Sequence, residues 1–454
     1  MVAQVIVDVV HTNVARPFSY LVPEGAEVSV GARVSVPLGR RRVDGIVVEL
    51  LDNPPDGLPP EKLRPIGAML DDCPALLPPL LDLARELSAQ AHCPLAETLR
   101  LMLPAAMRTG RVKRKKELYA RLADGVDGET AAQAQRRAPK RATLLRLLAG
   151  GELRAVKELE PLVNQPREAL HALEKAGLVV LEEREVFRAP EGEADAAHTQ
   201  PPEWTPDQRE ALDTMLPALR RGEGAFLLHG VTGSGKTEVY LAMVAETLKA
   251  GKGAIILVPE IALTPQMVRW FRARFGPETA VLHSRLTDGQ RCDEWRRIRL
   301  GYARVVVGAR SAVFAPVENL GLIVIDEEHE QTYLSDRHPR YDARRVAMSR
   351  CTREGATLVL SSATPSILSF AMARRGDYTL VEMPRRVRGL PLPDVTVVDM
   401  RRELEAGNRS IFSQLLIERL GECLRAGRQA MLFLNRRGYN TFVSCRSCGY
   451  VVKC

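Results

Sequence analysis

Phe226-Leu-Leu-His-Gly230-Val-Thr-Gly-Ser-Gly-Lys236-Thr237 decides the fold of this chain. An apolar strand runs into a glycine-rich turn, and the turn opens a helix near Lys236. That is the context in which a phosphate-binding Walker A loop forms. Gly230, Gly233 and Gly235 let the backbone wrap a polyphosphate, and the N–H groups around Thr232 and Ser234 point inward with theirs. Lys236 is placed to reach the β- and γ-phosphates, and Thr237 to bind Mg²⁺. ATP and Mg²⁺ are the expected ligands.

About 90 residues further on stands Ile323-Val-Ile-Asp326-Glu-Glu-His329, an apolar strand ending in acids. Read alone it could be an exposed acidic turn. With a Walker A upstream it reads as a Walker B, in which Asp326 holds Mg²⁺ through water and Glu327 polarises the attacking water. The order DEEH resembles superfamily 2 helicases and translocases, and further strings agree. Thr205-Pro-Asp-Gln208 resembles a Q motif whose glutamine reads adenine. Pro259-Glu-Ile with Thr264-Pro-Gln resembles motif Ia, and Leu282-His-Ser resembles motif Ib. Gly308-Ala-Arg310-Ser-Ala resembles a DNA-contact motif, and Ser361-Ser-Ala-Thr364-Pro resembles motif III, which links hydrolysis to strand movement. Glu328, His329, Arg310 and Thr364 are accordingly assigned to coupling.

Strands are expected at 224–229, 254–258, 304–307, 322–326, 357–361, 396–399 and 430–434. Most are Val/Ile/Leu runs without polar alternation, as parallel strands buried on both faces require. The fold class is therefore multidomain α/β, centred on a RecA-like doubly wound lobe. Valine-rich segments at 2–10, 28–36 and 43–50, broken by Pro and Gly, precede it and read as a β-rich domain. Leu80 to Leu103 reads as helical, and Arg108 to Lys116 as a basic run that is either solvated or bound to DNA phosphate. Residues 141–188 suggest three helices and a hairpin at 178–181 and 185–187, a winged helix that contacts DNA or protein. Residues 189–203 read as a linker. The expected boundaries are 1–105 for the β-rich domain, 106–190 for the basic linker and winged helix, 191–385 for the first helicase lobe, and 386–454 for the start of a second lobe with cysteines.

Composition narrows the class. The 454 residues are 45% hydrophobic, enough for several cores, and Lys plus Arg outnumber Asp plus Glu by 64 to 56. That excess fits a polyanionic partner. No signal peptide and no membrane-length apolar run occurs, which points to a cytoplasmic protein. Cys73, Cys93, Cys292, Cys351 and Cys423 are scattered and read as free thiols. Cys445-Arg-Ser-Cys448 with Cys454 has zinc spacing, although a C-x-x-C pair also serves redox chemistry.

Several strings resemble the PriA family of primosomal replication-restart helicases. They are GVTGSGKTEVY at 230–240, VPEIALTPQ at 258–266, DEEHE at 326–330, RYDAR at 340–344, SSATPS at 361–366, FLNRRGY at 433–439, the closing CxxCGY, and RPFSYLVPEG at 16–25. The resemblance implies a monomeric protein that binds branched DNA, such as replication forks bearing a 3′ end, and single-stranded DNA. It also implies 3′-to-5′ unwinding, and partners among single-stranded DNA-binding protein and primosome or helicase-loader proteins. It assigns Phe18, Ser19, Tyr20 and Arg64 to a 3′-end pocket, with Ser19 replacing the usual aspartate. It assigns Tyr333 and Tyr341 to an aromatic DNA-responsive loop, with Pro339 replacing the usual tryptophan. It implies two Zn²⁺ held by eight cysteines, of which Cys445, Cys448 and Cys454 are present. The expectation is an N-terminal portion of a longer protein, lacking the late helicase motifs and turning over ATP poorly by itself. A non-hydrolysing fork-binding scaffold and another superfamily 2 translocase are the competing readings.

Overall fold

Alternating valines in the first fifty residues build an antiparallel sheet, because period-two patterning gives each strand an apolar face. In this computed structural model, which describes residues 1–433 apart from 10–15, 56–58, 109–111, 113, 189–202, 261, 262, 264, 388, 390 and 392, the strands are β1 (Val2–Val7), β2 (Phe18–Leu21), β3 (Arg33–Leu38), β4 (Arg41–Leu51) and β5 (Ala68–Met69). Their order is β2-β1-β4-β3-β5. One face buries Val5, Val7, Tyr20, Val34, Val36 and Val47. The other face carries Ile6, Ile46 and Val48, which join the leucines of α1 (Pro78–Ala91) and α2 (Leu95–Met102). The expected continuous helix at 80–103 is therefore two helices. His92 takes φ 49° at the end of α1, and Pro94 follows before α2 begins. A short helix, α3 (Ala105–Arg108), completes this part.

The next unit contains the three helices expected within 141–188 and departs from expectation at the hairpin. A strand from the basic run, β6 (Lys116–Leu122), pairs antiparallel with β8 (Val179–Glu185), and β7 (Arg154–Ala155) flanks it. Between them lie α4 (Gly128–Ala134), α5 (Pro139–Leu147), α6 (Val156–Leu159) and α7 (Pro166–Lys175). The hairpin expected at 178–187 is one strand, because its seven residues find a full-length partner in β6. The described members of the basic run are paired with carboxylates of the protein. Arg108 meets Asp8, Arg114 meets Asp72 and Glu185, Lys115 meets Glu117, and Lys116 meets Glu183. The linker expected at 189–203 falls almost wholly outside the described residues.

The α/β lobe follows: α8 (Pro206–Arg221), β9 (Ala225–Gly230), α9 (Lys236–Lys249), β10 (Gly253–Leu257), α10 (Pro265–Phe275), β11 (Thr279–Leu282), α11 (Asp288–Arg299), β12 (Val305–Gly308), β13 (Leu320–Asp326), α12 (Ala343–Glu354), β14 (Thr357–Ser362), α13 (Ile367–Arg375) and β15 (Thr379–Met383). The seven strands form one parallel sheet in the order β11-β12-β10-β13-β14-β9-β15. Sequence reading missed β11 and β15. Both are edge strands, where burial on two faces is not demanded. In the central strands alternate residues enter opposite cores. Leu227, Ile255, Ile323, Ile325 and Leu358 lie in one, and Phe226, Ile256, Val324 and Val359 lie in the other. The first of these cores also holds the α1–α2 leucines, so the N-terminal helices and the α/β lobe share one apolar interior.

Residues 390–454 form a separate unit. Among its described residues are two helices, α14 (Met400–Glu405) and α15 (Gln414–Arg425), and no strand. The strands expected at 396–399 and 430–434 are not formed within the described residues, where no neighbouring strand pairs with them. No helix among the described residues is long and apolar enough to cross a membrane.

Candidate nucleotide and DNA site

β9, β14 and β13 are adjacent, and their C-terminal ends converge in register. Asp326 lies opposite Ser361, and Ser362 lies opposite His229 one residue before the glycine loop. A crevice beyond the carboxyl ends of parallel strands is where such sheets bind ligands. The loop enters α9 through Gly235, whose φ is 83°. A side chain there would be strained, and its Cβ would stand 2.3 Å from Gln208 Nε2.

Lys236 is nearly buried at the start of α9, and its Nζ donates to Gly230 O at 2.7 Å. Burial pulls its pKa down, while Glu327 and Asp326 push it up. Asp326 is the hub of the site. It accepts from Tyr240 Oη at 3.1 Å, from Ser361 Oγ at 3.0 Å and from the Glu327 amide at 3.1 Å. Burial raises its pKa and these hydrogen bonds lower it, with burial winning. Burial and the neighbouring Asp326 likewise raise Glu327. Glu327 adopts φ 47°, a left-handed conformation that costs a branched or bulky L-residue energy and that concentrates at functional sites. The donor set fits Mg²⁺ and a polyphosphate: Asp326 and Thr237 supply oxygens, Lys236 a cation, and Ser234 Oγ is buried in the loop without a partner among the described residues.

Of the residues expected to couple hydrolysis to movement, Glu328 and His329 are hydrogen-bonded to the segment 362–369. Glu328 is fully buried and accepts from the Ser366 amide at 2.6 Å, Ser366 Oγ at 3.2 Å and Ser369 Oγ at 2.8 Å. Arg344 donates to the Glu328 carbonyl at 2.9 Å and pairs with Asp342. His329 Nδ1 stands 2.8 Å from Ser362 Oγ, which also accepts from the Thr364 amide at 3.0 Å. Thr364 thus meets the DEEH segment only through Ser362. Gln208 is nearly buried. Its Oε1 accepts from the Thr205 amide in a capping box, and its Nε2 approaches the Gly235 carbonyl at 3.4 Å. Sequence reading missed Tyr240, one helical turn after Lys236 and so on the face toward β13. It also missed Ser366, Ser369 and Arg344, whose short polar runs carry no periodicity.

Tyr333, expected in the DNA-responsive aromatic loop, does not face solvent. It is fully buried, and its hydroxyl donates to the Asp326 carbonyl at 2.6 Å with the Leu257 carbonyl at 3.1 Å. No face is left for a base. Tyr341 is half-buried against Phe314, with ring centroids 5.0 Å apart, and the Arg310 guanidinium lies 5.8 Å from its ring centre. Arg310 also donates to the carbonyls of Thr332 and Leu334. These residues line a cleft of about 830 Å³ together with His283, Ser284, Arg291 and Arg337 from the lobe and Arg100 and Arg108 from α2 and α3. Motif Ia contributes Glu260; Ile261, Ala262 and Thr264 lie outside the described residues.

The expected 3′-end residues share β2, where successive side chains point to opposite faces. Phe18 packs against the valine core. Ser19 turns the other way and accepts from Gln4 Nε2 at 2.9 Å. Tyr20 is a correction: it is buried, with its hydroxyl donating to Pro37 O at 3.1 Å. Arg64 is exposed and donates to Gly39 O at 2.7 Å. Cys445, Cys448 and Cys454 lie outside the described residues.

The chain is similar to proteins of known family. Residues 4–104 match the PriA 3′ DNA-binding domain, and residues 205–371 match the DEAD/DEAH box helicases. The replication restart protein PriA of Bacillus subtilis is 38% identical over 100% of this chain and 64% of its own length. That of Synechocystis is 37% identical over 96% of this chain and 61% of its own. That of Treponema pallidum is 46% identical over 55% of this chain and 37% of its own. The chain thus spans about three fifths of the first two relatives, at 64% and 61%.

Proposed function

We propose that the chain, which is similar to PriA replication restart proteins, is a member of their family that couples MgATP hydrolysis to 3′-to-5′ movement on branched DNA and so initiates restart at abandoned forks. The observation that carries this is the convergence of Lys236, Asp326 and Glu327 at the ends of β9 and β13, with Glu328 and His329 bonded to the segment after β14. Bound Mg²⁺ supplies charge neutralisation on the phosphates, and Asp326 and Thr237 hold it. Glu327 orients and deprotonates the attacking water. Gln208 contacts adenine by turning its amide out of the capping box.

DNA lies in the arginine-bearing cleft, with phosphates on Arg291, Arg310 and Arg337 and a base against Tyr341. Tyr333 joins that cleft to the metal ligand, since its hydroxyl holds the Asp326 carbonyl and its loop carries the Arg310 contacts. The N-terminal sheet takes the 3′ end beside Phe18, Ser19 and Arg64. The cysteines near the end of the sequence hold zinc, and single-stranded DNA-binding protein and helicase-loader proteins are the partners. One observation favours the scaffold reading instead: with Tyr333 buried and Pro339 in place of tryptophan, Tyr341 alone of these three offers an aromatic face to the cleft.

The test is ATP hydrolysis with and without forked DNA bearing a 3′ end at the branch, for the full-length protein and for its Lys236→Ala variant. Stimulation by the fork that disappears in Lys236→Ala supports the motor. Tight fork binding without hydrolysis in either protein leaves the scaffold.

A further inference from the structure

Cys93 lies immediately beyond α1, and Glu97 sits in the first turn of α2. His338 comes from the other end of the sequence, in the loop between Tyr333 and Tyr341. Cys93 Sγ, a Glu97 carboxylate oxygen and a His338 ring nitrogen all lie within 4.8 Å of one another. The closest pair is His338 Nε2 and Glu97 Oε2, at 3.1 Å. None of the three takes part in the nucleotide site.

We propose that Cys93, Glu97 and His338 form a transition-metal site, best suited to Zn²⁺, that clamps the 333–341 loop to the α1–α2 junction. The donor chemistry selects the ion. A thiolate, an imidazole and a carboxylate suit Zn²⁺, whereas Mg²⁺ and Ca²⁺ take oxygen alone. Zn–S bonds of about 2.3 Å and Zn–N or Zn–O bonds of about 2.0–2.1 Å put tetrahedral ligand atoms roughly 3.4–3.6 Å apart. Closing a separation of 4.8 Å to that distance takes roughly 1.2–1.4 Å, shared between the two sides of the site. Three protein donors leave a fourth position for water, the pattern of an open rather than a closed site. On binding, the Cys93 thiol releases its proton to solvent, a sulfur–zinc bond forms, and a water leaves the ion.

The two sides of the clamp are aligned before any metal enters. Trp295 Nε1 donates to Met102 O at 3.2 Å at the far end of α2. Glu86 on α1 accepts from Ser349 at 2.6 Å and from Arg353 at 2.8 Å, both on α12. Arg310 holds the start of the loop through the Thr332 carbonyl at 3.2 Å. The ligands are therefore displayed from packed elements. Cys93 is buried at 8% exposure, while the His338 side chain is 59% exposed and gives the ion a way in.

The clamp is tested on the full chain, stripped with chelator and titrated with Co²⁺, whose thiolate charge-transfer band reports cysteine ligation. Cys445, Cys448 and Cys454 also take up the ion, so the readout is the difference from His338→Gln and Cys93→Ser. Each variant is expected to bind one fewer Co²⁺ per chain than the parent. Zn²⁺ is also expected to slow tryptic cleavage after the exposed Arg337 and Arg340 in the parent but not in His338→Gln. Equal Co²⁺ uptake by the parent and His338→Gln overturns the proposal, whatever Cys93→Ser shows. Should Cys93→Ser fail to fold, the exposed His338 decides alone, and an ordinary His–Glu pair is what remains if it changes nothing.

Discussion

The α/β lobe and the N-terminal sheet present their candidate residues in opposite ways. In the lobe, residues adjacent in sequence leave the ends of buried parallel strands and enter loops. Asp326, Glu328 and His329 therefore reach different partners: Tyr240 and Ser361, Ser366 and Ser369, and Ser362. In the N-terminal sheet, Phe18, Ser19 and Tyr20 remain inside a strand. The pleat sends Ser19 toward Gln4 and Tyr20 toward Pro37, so the three consecutive side chains do not share one face. A motif at a strand end reports a site, whereas a motif within a strand reports two faces of a sheet.

The largest effect that sharpens this comparison falls on Asp326 and Glu327. Glu327→Gln is expected to lower ATP turnover by roughly 10²–10⁴-fold, the usual contribution of a general base. Asp326→Asn should also abolish turnover, yet melt higher at pH 7. The sign follows from its raised pKa. A carboxyl whose folded pKa lies above its unfolded value favours folding when protonated, and that advantage is lost as pH rises through the folded pKa. The amide never ionises, so the gap in melting temperature between variant and parent should shrink as pH falls into the carboxylate range. A lower melting temperature for Asp326→Asn at pH 7 would show that the hydrogen bonds from Tyr240 and Ser361 outweigh desolvation.

Tyr333 comes next. Loss of a buried aromatic side chain costs about 3–5 kcal/mol, so Tyr333→Ala should be strongly destabilised in denaturant melts. Tyr333→Phe should lose only about 1 kcal/mol while reducing stimulation of hydrolysis by DNA, because the Asp326 carbonyl loses its donor. Normal stability in Tyr333→Ala with weakened DNA binding would restore direct DNA contact by Tyr333. Ser369→Ala removes one of three donors to the buried Glu328 carboxylate, and about 1–3 kcal/mol of stability should go with it. A smaller loss than that would place Glu328 in contact with water.

These outcomes also mark what the sequence made legible. The glycine loop, the DEEH acids and five of the seven parallel strands follow from apolar runs and glycine spacing, because burial on both faces leaves few alternatives. The edge strands β11 and β15 and the partner of β8 were hidden, since pairing between distant segments leaves no local pattern. Tyr240 and Tyr333 look alike in the sequence as isolated aromatics. Only the sheet shows that both hydroxyls end on Asp326, one on the carboxylate and one on the carbonyl.

The smallest effects test the N-terminal side. Tyr20→Phe should cost about 1 kcal/mol of stability, the net worth of one hydrogen bond, and leave DNA affinity unchanged, because the hydroxyl is spent on Pro37. Arg64→Ala should do the reverse. Its guanidinium is exposed and meets only the Gly39 carbonyl among the hydrogen bonds described, so stability should stay within about 0.5 kcal/mol. Fork affinity should fall, and the slope of log affinity against log salt should drop by roughly one phosphate contact. The loss should be larger for forks with a free 3′ end at the branch than for forks without one. Equal losses on both substrates would assign Arg64 to general phosphate binding and leave Phe18 and Ser19, on opposite faces of β2, without a common ligand.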